Sequence, residues 1–157
     1  MHAVGKITLF FCAGAILVGA HKSEISEMGG LGRKMPFTFG AFLLGSLSVI
    51  GLPPMGGSWS KWYLMLGSVD AGQLTMMVVL MASSLLSIAY LMPVVVRGFF
   101  QPTLADGHDN HDAEGSSKIQ EAPLLCVMPP VMTGIGCVVL FFYADDIYRL
   151  LMGIVTP

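Results

Sequence analysis

Apolar residues fill four stretches of the chain, and polar segments separate them. Residues 2–20, 74–96 and 123–144 are almost unbroken hydrophobic runs. At roughly 1.5 Å per residue each is long enough, as a helix, to cross the hydrocarbon core of a bilayer. The fourth stretch, 36–69, is interrupted by Gly51-Leu52-Pro53-Pro54-Met55-Gly56-Gly57. The two prolines remove backbone donors, and the glycines admit conformations that a helix does not use. The halves, 36–51 and 58–69, are each too short to span alone. Joined across 51–57 they predict one discontinuous crossing, with a re-entrant hairpin as the alternative. The pattern predicts an all-α integral membrane protein: a single transmembrane domain over 1–157 with about four crossings, one of them broken.

The polar segments fix the topology. Residues 21–35 read as a connecting loop with room for a short surface helix, 70–73 as a tight turn, and 97–122 as a long polar loop. Pro129-Pro130 is expected to kink the last span early. Asp145, Asp146 and Arg149 mark its far end, and residues 150–157 read as a mildly apolar tail. Lys22, Arg33, Lys34, Arg97 and Lys118 fall in the two loops on one side; only Arg149 falls on the other. Basic residues collect on the cytoplasmic side. Loops 21–35 and 97–122 are therefore expected in the cytoplasm, with both chain ends outside the inner membrane. The basic start and apolar run of residues 2–20 also fit a secretory signal peptide, but the membrane character of the sequence downstream argues against it.

Composition agrees with this class. The chain is 54% hydrophobic and only 11% charged, against about 25% charged in soluble domains. A net charge of −2 offers no basic footprint for nucleic acid. Cys12, Cys126 and Cys137 lie in apolar runs and form no metal-binding or redox motif. His108 and His111 stand among carboxylates in the long loop, but their spacing matches no closed metal site, and the composition there is that of a solvated loop. Ser83 and Ser87 make a small-xxx-small pair suited to helix packing. Ser84 and Tyr90 could serve a polar path, with packing the expected role for both.

One charge stands out. Lys61 is the only one between Lys34 and Asp70, and it follows directly on the break. An ionisable residue beside a broken membrane helix marks a functional site; the competing reading is a lysine snorkelling to the headgroups. His2 and Lys6 are four apart and share a helix face.

The motifs His2-Ala-x-x-Lys6-x-x-Leu9-Phe10-Phe11-x-Ala13-Gly14, Met28-Gly-Gly-Leu-Gly-Arg33-Lys34-Met35-Pro36 and Gly51-Leu-Pro53-Pro54-x-Gly56-Gly57-x-x-Ser60-Lys61-Trp62 occur in this order. Together they resemble the antiporter-like membrane family. Its members are the large subunits of multi-subunit monovalent cation/proton (Mrp-type) antiporters and the proton-pumping membrane subunits of respiratory complex I. Phe10-Phe-Cys-Ala-Gly-Ala-Ile16 and Ser60-Lys-Trp-Tyr-Leu64 look most like the D-type branch of the Mrp antiporters. The resemblance implies a fold of about fourteen helices built from two inverted repeats, each with a broken helix. This chain is similar to the last four helices only, and the first repeat with its glutamate–lysine pair has no counterpart here. That implies a fragment, a split gene product or a piece of a larger chain. His2, Lys6 and Lys61 match the family's residues on the second half of the proton path.

The chemistry such a path needs is a series of groups that take and release protons within low dielectric, and lysine and histidine both suit it. The resemblance implies a transporter subunit rather than an enzyme, with no cofactor of its own. Its partners would be the lipid bilayer and other membrane subunits of a hetero-oligomeric antiporter or complex I-like assembly. It would move protons, with sodium or potassium as candidate exchanged ions. The alternatives are a proton-translocating subunit of an NADH:quinone oxidoreductase or hydrogenase complex, and an inert or structural membrane fragment.

Overall fold

The computed structural model describes residues 1–101 and 121–155. The described residues form helices and connecting turns without a strand: α1 (His2–Ala20), a single 3-10 turn (Ile25–Glu27), α2 (Leu31–Lys34), α3 (Pro36–Ile50), α4 (Gly56–Asp70), α5 (Leu74–Phe100), α6 (Leu124–Phe142) and α7 (Ala144–Val155). His108, His111 and Lys118 lie outside the described residues.

Helices α1, α5 and α6 are long and apolar enough to cross a membrane. Their outward faces are as apolar as their buried ones: Phe10, Met76, Val78, Leu85, Leu86, Leu125 and Met132 are all exposed. A helix of a soluble domain would carry polar residues there. The chain is an all-helical integral membrane protein.

Helices α1, α3 and α6 pack together through small residues. Gly5 of α1 lies against Ser48 and Val49, Gly45 of α3 against Thr8, and Gly134 of α6 against Ala41. Between helices that both face lipid, close backbone approach supplies the packing energy that water exclusion gives elsewhere. Cys12, Ile16, Met35, Phe39 and Val94 are buried at the centre of this cluster. At one end, α2 clamps the end of α5. The Gly30 N–H donates to the Arg97 carbonyl at 3.1 Å. Arg33 Nε donates to the Phe99 carbonyl at 2.9 Å, placing a cation on the carbonyl end of α5. Segment 21–35 is thus a docked structure and not only a connection.

Three expected boundaries change; α5 runs to Phe100 and takes residues 97–100 from the expected loop at 97–122. The break is shorter than 51–57: it covers residues 51–55, and Gly56 and Gly57 form the first turn of α4. Residues 150–157, expected as a tail, instead continue α7 as far as Val155. α6 runs on through Pro129 and Pro130, and the Thr133 hydroxyl donates to both their carbonyls at 2.9 and 3.2 Å.

α4 does not fold back along α3. Gly57 touches Ser48, and Lys61 reaches Ile50 and Gly51 at the end of α3. α5 runs antiparallel beside both halves, meeting Lys61 of α4 at Ser84 and Phe39 of α3 at Gly98. The two half-helices therefore form one stepped rod, with the break at the step.

Candidate functional site

The step is built by residues that do not suit a helix. Gly51 ends α3 in the left-handed region at φ 86° and donates to the Leu47 carbonyl at 2.9 Å. A side chain would be strained in that conformation. The packing adds a second reason: a Cβ on Gly51 would sit 2.7 Å from Lys61 Cδ. In a continuing helix the Val49 and Ile50 carbonyls would accept from residues 53 and 54. Both are prolines and have no N–H to give. The Ile50 carbonyl is left to another donor.

That donor is Lys61. Its Nζ lies 2.7 Å from the Ile50 carbonyl and 2.8 Å from Ser84 Oγ on α5. The Ser84 hydroxyl donates its own proton to the Leu80 carbonyl at 3.1 Å, so its lone pairs face the ammonium. Two of the three ammonium donors are thereby used. The helix break and the cation are one construction: the prolines free a carbonyl, the glycine makes room for the lysine stem, and the ammonium closes the gap.

Lys61 borders two open cavities. One, of about 770 Å³, lies towards α5 and is lined by Leu52, Trp59, Trp62, Ser84 and Ile88 among others. The second, of about 620 Å³, lies between α1, α4 and α7 and is lined by His2, Ser48, Ser60, Tyr63 and Tyr148 among others. No carboxylate lines either cavity among the described residues. An aromatic ladder runs from the first cavity to the second: Phe141 and Trp59 at 6.1 Å, Trp59 and Tyr63 at 5.9 Å, then Tyr63 and Tyr148 stacked at 4.5 Å, with Phe141 lining the first, Trp59 both, and the two tyrosines the second. Trp59 Nε1 is buried there without a hydrogen-bond partner among the described residues.

Of the three side chains singled out in sequence, His2 and Lys61 border the same cavity. Lys6, one turn further along α1, is exposed and lines neither cavity. Of the loop residues, Gly51 and Pro53 line the first cavity, and Gly57 lines the second against the Ser48 backbone. Of the two roles open to Ser84, packing and a polar path, the structure places it in a polar contact, as the side-chain partner of Lys61. A hydroxyl in an apolar span must find an acceptor or donor somewhere, but nothing local to Ser84 says which helix it faces.

The family model described as "NADH:quinone oxidoreductase/Mrp antiporter, TM" matches residues 1–87, a stretch that contains α1, the break, Lys61 and Ser84. The chain is 36% identical over 149 residues to NADH-quinone oxidoreductase subunit N of Desulforudis audaxviator (strain MP104C), covering 93% of this chain and 30% of that protein. It is 32% identical over 127 residues to NADH-quinone oxidoreductase subunit L of Rickettsia felis (strain ATCC VR-1525 / URRWXCal2), covering 81% of this chain and 20% of that one. A shorter similarity, 42% over 62 residues, joins it to Hydrogenase-4 component B of Escherichia coli (strain K12), covering 40% of this chain and 9% of that protein. The chain thus spans less than a third of the length of each of these relatives. On the family match, this chain belongs to the NADH:quinone oxidoreductase/Mrp antiporter membrane family.

Proposed function

We propose that this chain supplies the Lys61 segment of a proton-translocating membrane subunit, working beside other membrane subunits in one lipid-embedded assembly. The observation that carries this is the Lys61 ammonium, held between a helix-break carbonyl and a serine hydroxyl at the border of two cavities. As ammonium, Lys61 keeps one N–H for a water or acceptor in one cavity. Having given up that proton, the amine takes another from the opposite side. His2, Ser48 and Ser60 supply polar stepping points in the second cavity. Lys6 stands on the outer face of α1, where a neighbouring helix of the assembly would cover it.

The finer assignment has two forms, and each has its own support. The segments 10–16 and 60–64 favour the D-type component of an Mrp cation/proton antiporter. The named relatives favour a membrane subunit of an NADH:quinone oxidoreductase. The same lysine relay serves both, with ion gradients driving one and a redox partner the other. Proton-coupled sodium or potassium exchange by the complete assembly in vesicles identifies the first; proton transport only on addition of an electron donor identifies the second.

Lys61→Arg and Lys61→Ala, placed in the complete assembly, test the relay itself. Arginine keeps the charge but holds its proton at any physiological pH. Both variants are expected to insert and assemble while losing most proton-coupled transport, roughly tenfold or more. A lysine that only snorkels would tolerate arginine. Native transport by Lys61→Arg removes the relay role.

A further inference from the structure

We infer that Ser84 is a positioning residue for Lys61, fixing its ammonium at the helix break so that one N–H stays directed at the proton's next acceptor. The inference rests on the relay reading above and adds to it a residue on a different helix. α5 carries Ser83, Ser84, Ser87 and Tyr90 within an otherwise apolar stretch. Ser87 donates to the Ser83 carbonyl at 2.8 Å, and Tyr90 hydroxyl approaches Ser87 Oγ at 3.5 Å, so both stay on their own helix. Ser84 alone reaches across to another helix, over 23 residues of sequence.

Its geometry allows one role. The bond from Ser84 to the Leu80 carbonyl, one turn back, consumes the only hydroxyl proton. Towards Lys61 it can only accept. The second anchor, the Ile50 carbonyl, is fixed by the end of α3. Two fixed acceptors on different helices confine a side chain that has four rotatable carbons. Without Ser84 the ammonium keeps one anchor and swings in a cavity of about 770 Å³. A neutral hydroxyl also orients the ammonium without supplying a countercharge, which suits a group that must give its proton away and take it back. No carboxylate takes that place among the residues lining the two cavities.

The test has one arm that does not depend on transport. The full chain, with 15N-labelled lysine side chains, is placed in lipid nanodiscs and its lysine Nζ signals are followed by NMR. Ser84→Ala is expected to shift the Lys61 signal and speed its proton exchange with water, leaving Lys6, Lys22, Lys34 and Lys118 unmoved. Ser84→Thr, whose hydroxyl can repeat both bonds, is expected to restore the native signal. Ser84→Cys is close in size but a poor acceptor for an ammonium; it should behave as alanine does, and it carries the test should the alanine variant fail to insert. In the complete assembly, Ser84→Ala should lower maximal proton-coupled transport by roughly tenfold at native assembly levels, the loss expected for one hydrogen bond to a charged group. Ser84→Thr should stay within about twofold of native. A Lys61 signal indifferent to both Ser84→Ala and Ser84→Cys overturns the inference, as does native transport by Ser84→Ala. Native transport by Lys61→Arg would instead remove the relay reading and leave the NMR result to decide the Ser84 contact alone.

Discussion

A methyl group on Gly57 would overlap the Ser48 carbonyl oxygen, because the first turn of α4 is pressed against the last turn of α3. Ten residues further along the same helix, Gly67 has open space around it and no left-handed conformation to protect. The same substitution should therefore have opposite signs at the two positions. Gly57→Ala forces the half-helices apart and should cost about 1–3 kcal/mol, the range for overpacking a tight contact. Gly67→Ala gains helix propensity and should stabilise by up to about 1 kcal/mol. Thermal unfolding of the two variants in detergent measures both; equal shifts would show that the contact at the step carries no energy. Residues at this scale differ in how far the sequence exposes them. Lys61 is legible because it is a lone charge in an apolar run beside a proline pair. Ser84 is not, because its role depends on which side of α5 meets α4, and serine is ordinary in membrane helices. The orphaned Ile50 carbonyl lies between. Pro54, four residues on, announces that a donor is missing, but not that a lysine side chain replaces it.

Helix α3 is held at both ends by other segments. Its last carbonyl takes Lys61. Its first turn takes Glu121, whose carboxylate accepts from the Phe37 N–H at 2.7 Å and the Thr38 hydroxyl at 2.8 Å. Met35, the residue before the helix, offers no side-chain cap, and Pro36 fills the first position. A carboxylate at a helix start satisfies free N–H groups and complements the dipole. Glu121→Ala should therefore lower stability by about 1–2 kcal/mol, with Glu121→Gln, which keeps an acceptor but no charge, losing less. Chemical or thermal unfolding distinguishes them; an alanine variant as stable as the native protein would mean that water replaces the cap at no cost. The cap joins residues more than 80 positions apart, and nothing in the sequence pairs them. α7 was within reach of sequence reasoning. Ala144, Ile147, Tyr148 and Leu151 follow the spacing of one helical face, and these four line the second cavity. Asp145 and Arg149 pair at 2.9 Å on the face turned away. Reading those charges as the end of a span, and not as the polar side of a new helix, hid it.

At the scale of the whole molecule the described elements sort to two ends. Segment 21–35 is bound to the end of α5 through Gly30 and Arg33, and Glu121, three residues before α6, is bound to the start of α3, which follows that segment. The beginning of α1, the step, the end of α6 and α7 gather at the other, where His2, Ser48, Ser60 and Tyr148 share a cavity. This separation makes the charge argument physical: Lys22, Arg33, Lys34 and Arg97 belong to the first end, Lys118 follows in the same loop by sequence, and Arg149 belongs to the second. Basic residues resist transfer across the membrane during insertion and stay on the cytoplasmic side. The first end should therefore face the cytoplasm and the cavity holding His2 should open outward. Single cysteines test this in a background where Cys12, Cys126 and Cys137 are alanine. In intact cells expressing the complete assembly, Arg33→Cys and Lys118→Cys should escape a membrane-impermeant thiol reagent added outside and react once the membrane is opened. Asp70→Cys, in the turn between α4 and α5, and Arg149→Cys on α7 are exposed at the opposite end and should react from outside at once. The reverse pattern would invert the orientation, and with it the side to which the His2 cavity opens, while leaving the Lys61–Ser84–Ile50 contact as it stands.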